Sequence, residues 1–493
     1  MDEHTRLPQP TPPAPPMTPT PRPAARPHDG VLSGGHLFAA PRFGSAATRP
    51  TGPIPPAPRR RRQWPWIVAA VTAVAVGISG AVVTGDALLT TLIRTSSASS
   101  DAGPSGSSSP GDAYAEDVTS RLTRAMNAND RTAFIGIGEG SSAEHLAAIW
   151  DETKKLGWTL GVAESNSRTG PVQLAFNMGL GGFHAVSEAR DGGSGGELLA
   201  TFLYAATIRG TGSHARVVAL DAMYPMPWDR GERIAVARGE HVALFADEDE
   251  GALVDARLAE AEGAAEDVLA RPEWAGSHAR LDGFVAYVTE DADDYAHAYG
   301  PGGADGTAGF CRTDVRPSQG SALIATGVAT GDTLPGGALA FLGPGGLADG
   351  EGYVFAHEFA HYMQNTHDPA PYDRSGAGTD YIAVSEGYAE SVAAQHVGYA
   401  AELFTTGDVR DAVLNGDIAD VLAEHSFTDK DLSAMAYLTA GSYFYFLDQH
   451  QADYRMLLAA DGTGPFAQQV VATMRPGLRI EDWKAWVAAQ PEG

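Results

Sequence analysis

Two histidines and a glutamate in the run His357-Glu358-Phe359-Ala360-His361 are the residues of this 493-residue chain best placed to do chemistry. Asp349 can cap a helix that continues through Tyr353, Val354, Phe355, Phe359 and Met363, with His357 and His361 four residues apart on it. Four residues of α-helix mean roughly 6 Å of rise and about 40° of rotation, so both imidazoles project from one face and can hold one metal ion. Glu358 lies about 100° round from His357, beside the pair, where its carboxylate can reach a water on that metal without occupying the metal. That is the position of a base.

A catalytic zinc needs a third protein ligand and an open fourth position for water. Two candidates compete. Glu386, in Val384-Ser385-Glu386-Gly387-Tyr388-Ala389-Glu390, lies 25 residues past His361 on an expected second helix capped near Asp380. There Glu390 falls one turn later on the same face, where it can hydrogen-bond the far nitrogen of a ligand histidine. The rival is His367, because His357, His361 and His367 have the spacing of the metzincins. That family turns sharply through a glycine where this chain has Gln364, and a side chain there is costly if the backbone takes positive φ. Glu386 is the favoured ligand.

His357-Glu358-Phe359-Ala360-His361 followed by Ser385-Glu386-Gly387-Tyr388-Ala389-Glu390 resembles the gluzincin clan, the thermolysin-like and aminopeptidase-like zinc peptidases. The likeness covers roughly residue 242 to the end. It implies a zinc cofactor held by His357, His361 and Glu386, Glu358 as general base, and Glu390 as the carboxylate behind a ligand histidine. It also implies a Tyr or His on a later helix that hydrogen-bonds the developing oxyanion, and Tyr437 in Ala436-Tyr437-Leu438-Thr439 is the matching choice. The expected activity is hydrolysis of a peptide or protein substrate lying extended along an edge strand at Ala338–Leu342. No Gly-x-Met-Glu-Asn motif of the aminopeptidases is present, which favours an endopeptidase. The rival from another class is a membrane-tethered binding or scaffold protein with a vestigial zinc site.

The elements that must position these residues read as α+β. Residues 241–493 open with a strand at Val242–Phe245, an acidic turn at Asp247–Glu250 and a helix from Ala252 to about Ala270. Strands are expected at Phe284–Thr289, Leu323–Ala329 and Ala338–Leu342, then helices to the end. A mixed sheet followed by helices, with the motif on the first helix after the last strand, is the layout of a zincin-type metallopeptidase domain. Residues 113–240 form a smaller α+β unit: helices at Val118/Leu122/Met126 and His145–Leu156, then strands at Thr159–Ala163, Leu199–Ile208, Ala215–Leu220 and Ile234–Ala237. That order resembles the cone-shaped fold of the nuclear transport factor 2-like superfamily. His145, His184 and His214 are isolated in it and read as structural or solvated.

The formal net charge is −27, yet residues 1–63 hold nine arginines against Asp2, Glu3 and Asp29, so the acidity belongs to the folded part. Such a surface repels phosphate backbones and argues against nucleic acid as a partner. Half of the 32 prolines lie in residues 1–58, which show no apolar period and read as a disordered tail. The tail ends in Arg59-Arg60-Arg61-Arg62, followed by Trp64-Pro65-Trp66 and an uncharged apolar run from Ile67 to Val83. Residues 64–93 therefore read as one transmembrane signal anchor, with the N-terminus cytoplasmic and the remainder extracytoplasmic. Residues 94–112, rich in Ser and Gly, read as a flexible tether. Cys311 is the single cysteine, so no intramolecular disulfide forms and the core must hold by packing.

Overall fold

The computed structural model describes residues 110–166, 172–187, 196–274, 279–299, 308–312, 333–335, 339–347, 352–367, 380–423, 426–427, 432–450 and 480–490. The tail of 1–63, the expected span of 64–93, most of the tether, the expected strand at 323–329 and the Asp349 cap lie outside them. Among the described residues no helix is long and apolar enough to cross a membrane. The longest helix, residues 251–269, is broken up by Asp255, Arg257, Glu260, Glu262, Glu266 and Asp267. The fold class that included a membrane-spanning helix is corrected accordingly: the described fold is mixed α+β alone.

The chain begins with α1 (Pro110–Asn127), α2 (Arg131–Ile135) and α3 (Ser141–Lys155). It continues through β1 (Gly161–Asn166), β2 (Val172–Met178), β3 (Ala185–Ser187), β4 (Gly196–Arg209), β5 (Arg216–Ala222), β6 (Ile234–Arg238) and β7 (Val242–Asp247). Next come α4 (Gly251–Leu269), β8 (Ala279–Leu281), β9 (Phe284–Val288), α5 (Ala292–Tyr299), β10 (Gly309–Arg312), β11 (Thr333–Pro335) and β12 (Leu339–Leu342). The described remainder is helical: α6 (Pro344–Leu347), α7 (Tyr353–His367), α8 (Asp380–His396), α9 (Ala400–Leu403), α10 (Gly407–Asn415), α11 (Ile418–Val421), α12 (Ser433–Gln449) and α13 (Ile480–Ala489).

The central sheet runs β10-β12-β9-β7-β6, with β12, β9 and β7 parallel and both outer strands antiparallel. Its inner strands read VALFAD, FVAYV and LAFL, and every residue of them is buried. Alternate side chains leave a strand on opposite faces, so an unbroken apolar run is the signature of a sheet covered on both sides. One face carries the paired row Phe310–Phe341–Tyr287–Phe245 into the core shared with the N-terminal half. The other pairs Cys311, Ala340, Ala286 and Leu244. Those small residues let α7 lie close on the sheet, in a core with α4, α8 and α12.

A seven-stranded sheet around the long strand β4 makes up the other half. Its later residues pair antiparallel with β2 and β5, its first residues with β3 and with the parallel strand β11. Strands β8 and β11 come from beyond residue 240, while β6 pairs with β7 across the expected 240/241 boundary. Residues 113–240 therefore do not close a sheet of their own, as the cone-shaped resemblance requires. The expected edge strand is also corrected. β12 lies between β9 and β10, so among the described residues the edge beside the motif helix is β10.

The acidic turns are bound up in the fold as well. Glu232, Asp247 and Asp294 surround the guanidinium of Arg230 at 2.6, 2.9 and 3.1 Å. Burial pushes Asp247 up to about 7, against the pull of Arg230. The cation that gathers these carboxylates is a side chain of the chain itself.

Candidate metal centre

Helix α7 is preceded by a glycine whose backbone takes a conformation that a side chain would strain. Gly352 has φ +82°, and its N–H donates to Glu260 Oε1 of α4 at 3.0 Å, so α4 holds the free end of the motif helix. From Tyr353 the helix runs without interruption through Gln364 to His367. There is no turn at Gln364. His367 ends the same helix, about 9 Å of rise beyond His361, and the backbone does not fold it back toward the two motif histidines.

Helix α8 crosses α7 and brings Glu386 to the pair. His361 Nε2 is 3.1 Å from His357 Nε2 and 3.1 Å from Glu386 Oε2, and His357 Nε2 is 3.4 Å from that same oxygen. These three buried residues form a group that could hold a metal. Ligand atoms about 2.0–2.2 Å from a tetrahedral zinc stand roughly 3.3–3.6 Å apart, so the triangle of 3.1, 3.1 and 3.4 Å is slightly tighter than a small divalent cation would set it. Two imidazoles and a carboxylate suit zinc and other first-row divalent metals alike.

The contacts behind the histidines point the same way. His361 Nδ1 lies 3.0 Å from Gln364 Oε1 and 3.2 Å from Ser385 Oγ. His357 Nδ1 lies 3.5 Å from Glu390 Oε2, and Glu390 Oε1 accepts from the Tyr353 hydroxyl. With the outer nitrogens turned toward acceptors, both Nε2 atoms face each other and a carboxylate. Bare lone pairs there would repel one another, so the site takes either a proton, on His357, or a metal cation.

Charges respond to this crowding. Burial works against charge on Glu386, but His361 and His357 outweigh it and hold the carboxyl down at about 2. Burial likewise opposes charging His357, yet Glu386 and Glu390 raise it to about 10. For Glu358 burial wins: it is pushed up to about 7, against the two imidazoles and with help from Glu386. Both Glu358 carboxylate oxygens are buried and make no hydrogen bond among the described residues. A carboxylate left without partners in a dry site is costly, which fits a residue kept for a proton rather than for packing.

Tyr437 of α12 lies against the same site. Its ring stacks on His357 at 6.3 Å between centroids, and it is fully buried. Burial, then Glu386, Glu390 and Glu358, keep its phenol well above its ordinary range, so it stays protonated and can donate. α12 reaches α8 at this depth because Gly387 and Gly441 carry no side chains: a Cβ on Gly387 would fall 2.8–2.9 Å from Ala440, and one on Gly441 2.8 Å from Glu390 Cγ.

All six residues singled out in the sequence, His357, Glu358, His361, Glu386, Glu390 and Tyr437, thus meet in one buried cluster. Sequence reasoning missed Tyr353, Gln364 and Ser385 as their supports. Helical spacing held the signal for two of them: Tyr353 precedes His357 by four residues and Gln364 follows His361 by three. It also missed Gly309, where the Cβ of any larger residue would lie 2.8 Å from Glu358 Oε1.

Comparison of the chain with protein-family models, with curated proteins and with solved structures gives no match.

Proposed function

We propose that this protein is a zinc metallopeptidase that cleaves internal peptide bonds, with His357, His361 and Glu386 as the metal ligands. One observation carries the reading: a converging triangle of two imidazole nitrogens and a carboxylate oxygen stands beside a buried glutamate without hydrogen-bond partners among the described residues. Zinc, when bound, supplies the Lewis acidity that makes a water nucleophilic near neutral pH and polarises a carbonyl.

The protein's own groups do the rest. Glu358, raised to about 7, is poised to take a proton from the attacking water and to pass it to the leaving amine. Glu390 and Gln364 hold the ligand rings in place from behind. Tyr437, held protonated, supplies a donor to the oxygen that gains charge. Strand β10, which among the described residues has an antiparallel neighbour on one side only, offers its other edge to an extended peptide, and Gly309 lets that edge come down onto Glu358.

The test is Glu358→Gln in the purified protein, with zinc content and cleavage of an unstructured protein substrate measured together. Zinc is expected to remain near one per chain while turnover disappears. Undiminished turnover, or wild-type protein that takes up no metal, would overturn the reading.

A further inference from the structure

The amide of Gln364 touches both helices that carry metal ligands. Its Nε2 donates to the backbone carbonyl of Ser385 at 3.3 Å, and its Oε1 accepts from the Ser385 hydroxyl at 3.1 Å. The same Oε1 lies 3.0 Å from His361 Nδ1. Gln364 and Ser385 are buried, and Ser385 is the residue immediately before Glu386.

The Ser385 hydroxyl lies within reach of both Gln364 Oε1 and His361 Nδ1, at 3.1 and 3.2 Å, and with its hydrogen given to the amide oxygen one arrangement of protons follows. A backbone carbonyl only accepts, so the amide must turn its NH2 toward Ser385 and its oxygen toward His361. Flipped, it would set oxygen against oxygen at Ser385. An amide oxygen also only accepts, so His361 Nδ1 must be the nitrogen that carries hydrogen. Nε2 is then left with its lone pair aimed at His357 Nε2 and Glu386 Oε2, 3.1 Å from each. The peptide carbonyl before one ligand thereby fixes the tautomer of another.

We propose that Gln364 is a positioning residue of the metal centre: read from Ser385, it locks His361 in the metal-binding tautomer and sets α7 and α8 in register so that His361 and Glu386 meet. The inference rests on the metal-ligand assignment under Proposed function. It also accounts for why α7 continues straight past His361: the position must stay helical for its amide to reach back one turn to the ring. His357 is backed differently, by the Glu390 carboxyl at 3.5 Å, so the two ligand histidines have a carboxyl behind one and an amide behind the other.

The experiment uses the full-length protein stripped of metal and titrated with Co2+, followed by its visible d–d absorption, then with Zn2+ in competition with a chelator. Folding is checked by circular dichroism. Gln364→Met keeps the length and burial but removes the acceptor, and is expected to weaken both metals about 10- to 100-fold and to alter the Co2+ spectrum. Gln364→Glu keeps an acceptor for Nδ1–H but loses the donor to the Ser385 carbonyl, and is expected to recover part of the affinity. Ser385→Ala should weaken binding in the wild-type background and add little to Gln364→Met, because both act along one path.

Wild-type affinity and an unchanged Co2+ spectrum in folded Gln364→Met would overturn this inference and leave the ligand assignment standing. Equal losses in the Met and Glu variants, or full additivity with Ser385→Ala, would also overturn it. Wild-type protein that binds neither metal would remove the ligand assignment and this inference together.

Discussion

Gly309 on the edge strand stands directly against Glu358: a Cβ built on the glycine would lie 2.8 Å from Oε1 and 3.0 Å from Cγ. The glutamate side chain is therefore held between α7 and β10 with no room to spare. Among the described residues this is the tightest link between the strand suited to receive substrate and the group suited to move a proton.

Gly309→Ala should displace that carboxylate without touching a metal ligand. A misplacement near 1 Å can cost about 100-fold in rate, so kcat is expected to fall about 10- to 100-fold with zinc content unchanged. Steady-state kinetics beside metal analysis checks this. A rate within a factor of two of wild type would show that Glu358 moves aside freely.

Tyr437→Phe removes one donor and keeps the ring that stacks on His357. Loss of a single oxyanion donor costs about 10²- to 10³-fold in kcat. KM and zinc affinity are expected to stay close to wild type. Equal turnover in the Phe variant would reduce Tyr437 to a packing residue.

Metal uptake should depend on pH with a definite sign. In the metal-free protein His357 is raised to about 10, so it is protonated at neutral pH and must lose that proton to bind a metal. Apparent affinity is expected to rise about tenfold per pH unit through the neutral range. Calorimetry in two buffers of different ionisation enthalpy should report about one proton released per zinc. The stability of the metal-free form follows the opposite course. The raised His357 stabilises fully below 6.5 and loses its contribution as pH climbs through about 10. The depressed Glu386 stabilises fully above 4.5 and loses its contribution as pH falls through about 2. Glu358, raised to about 7, favours the folded state below 4.5 and loses that advantage as pH rises to 7. The Tm of metal-free protein should therefore peak on the acid side of neutrality, and a peak above pH 8 would contradict the ion pair.

Gly387→Ala tests the approach of α8 to α12. The new methyl would meet Ala440 backbone atoms at 2.9 Å, and backbone cannot swing aside as a side chain does. Overpacking of this kind costs about 1–3 kcal/mol. A lower Tm is expected, with weaker zinc binding because Glu386 sits on the displaced helix. An unshifted Tm would mean that the two helices separate easily.

Much of the side-chain cluster was legible in the chain because helical geometry is local. Four-residue spacing puts His357 and His361 on one face whatever the rest of the molecule does, and Glu358 follows from the same 100° step. Glu390 one turn after Glu386 was readable by the same rule. The unbroken apolar runs of β7 and β9 were legible too, since a sheet covered on both faces leaves no polar positions to confuse the pattern. Short strands such as β3, β8 and β11, only three residues each, carry too little pattern to be seen.

By itself the sequence determined the chemistry available: which side chains could ligate, which could accept a proton, and on which helical face each would stand. Only the tertiary structure decided what meets what, because pairing between distant segments depends on long-range packing that no local period encodes. It put β10 rather than β12 at the edge of the described sheet, set α8 against α7 so that Glu386 closes the triangle, and wove β6, β8 and β11 across the expected boundary. It also turned Gln364 from a residue noted only for not being glycine into the amide that orients His361.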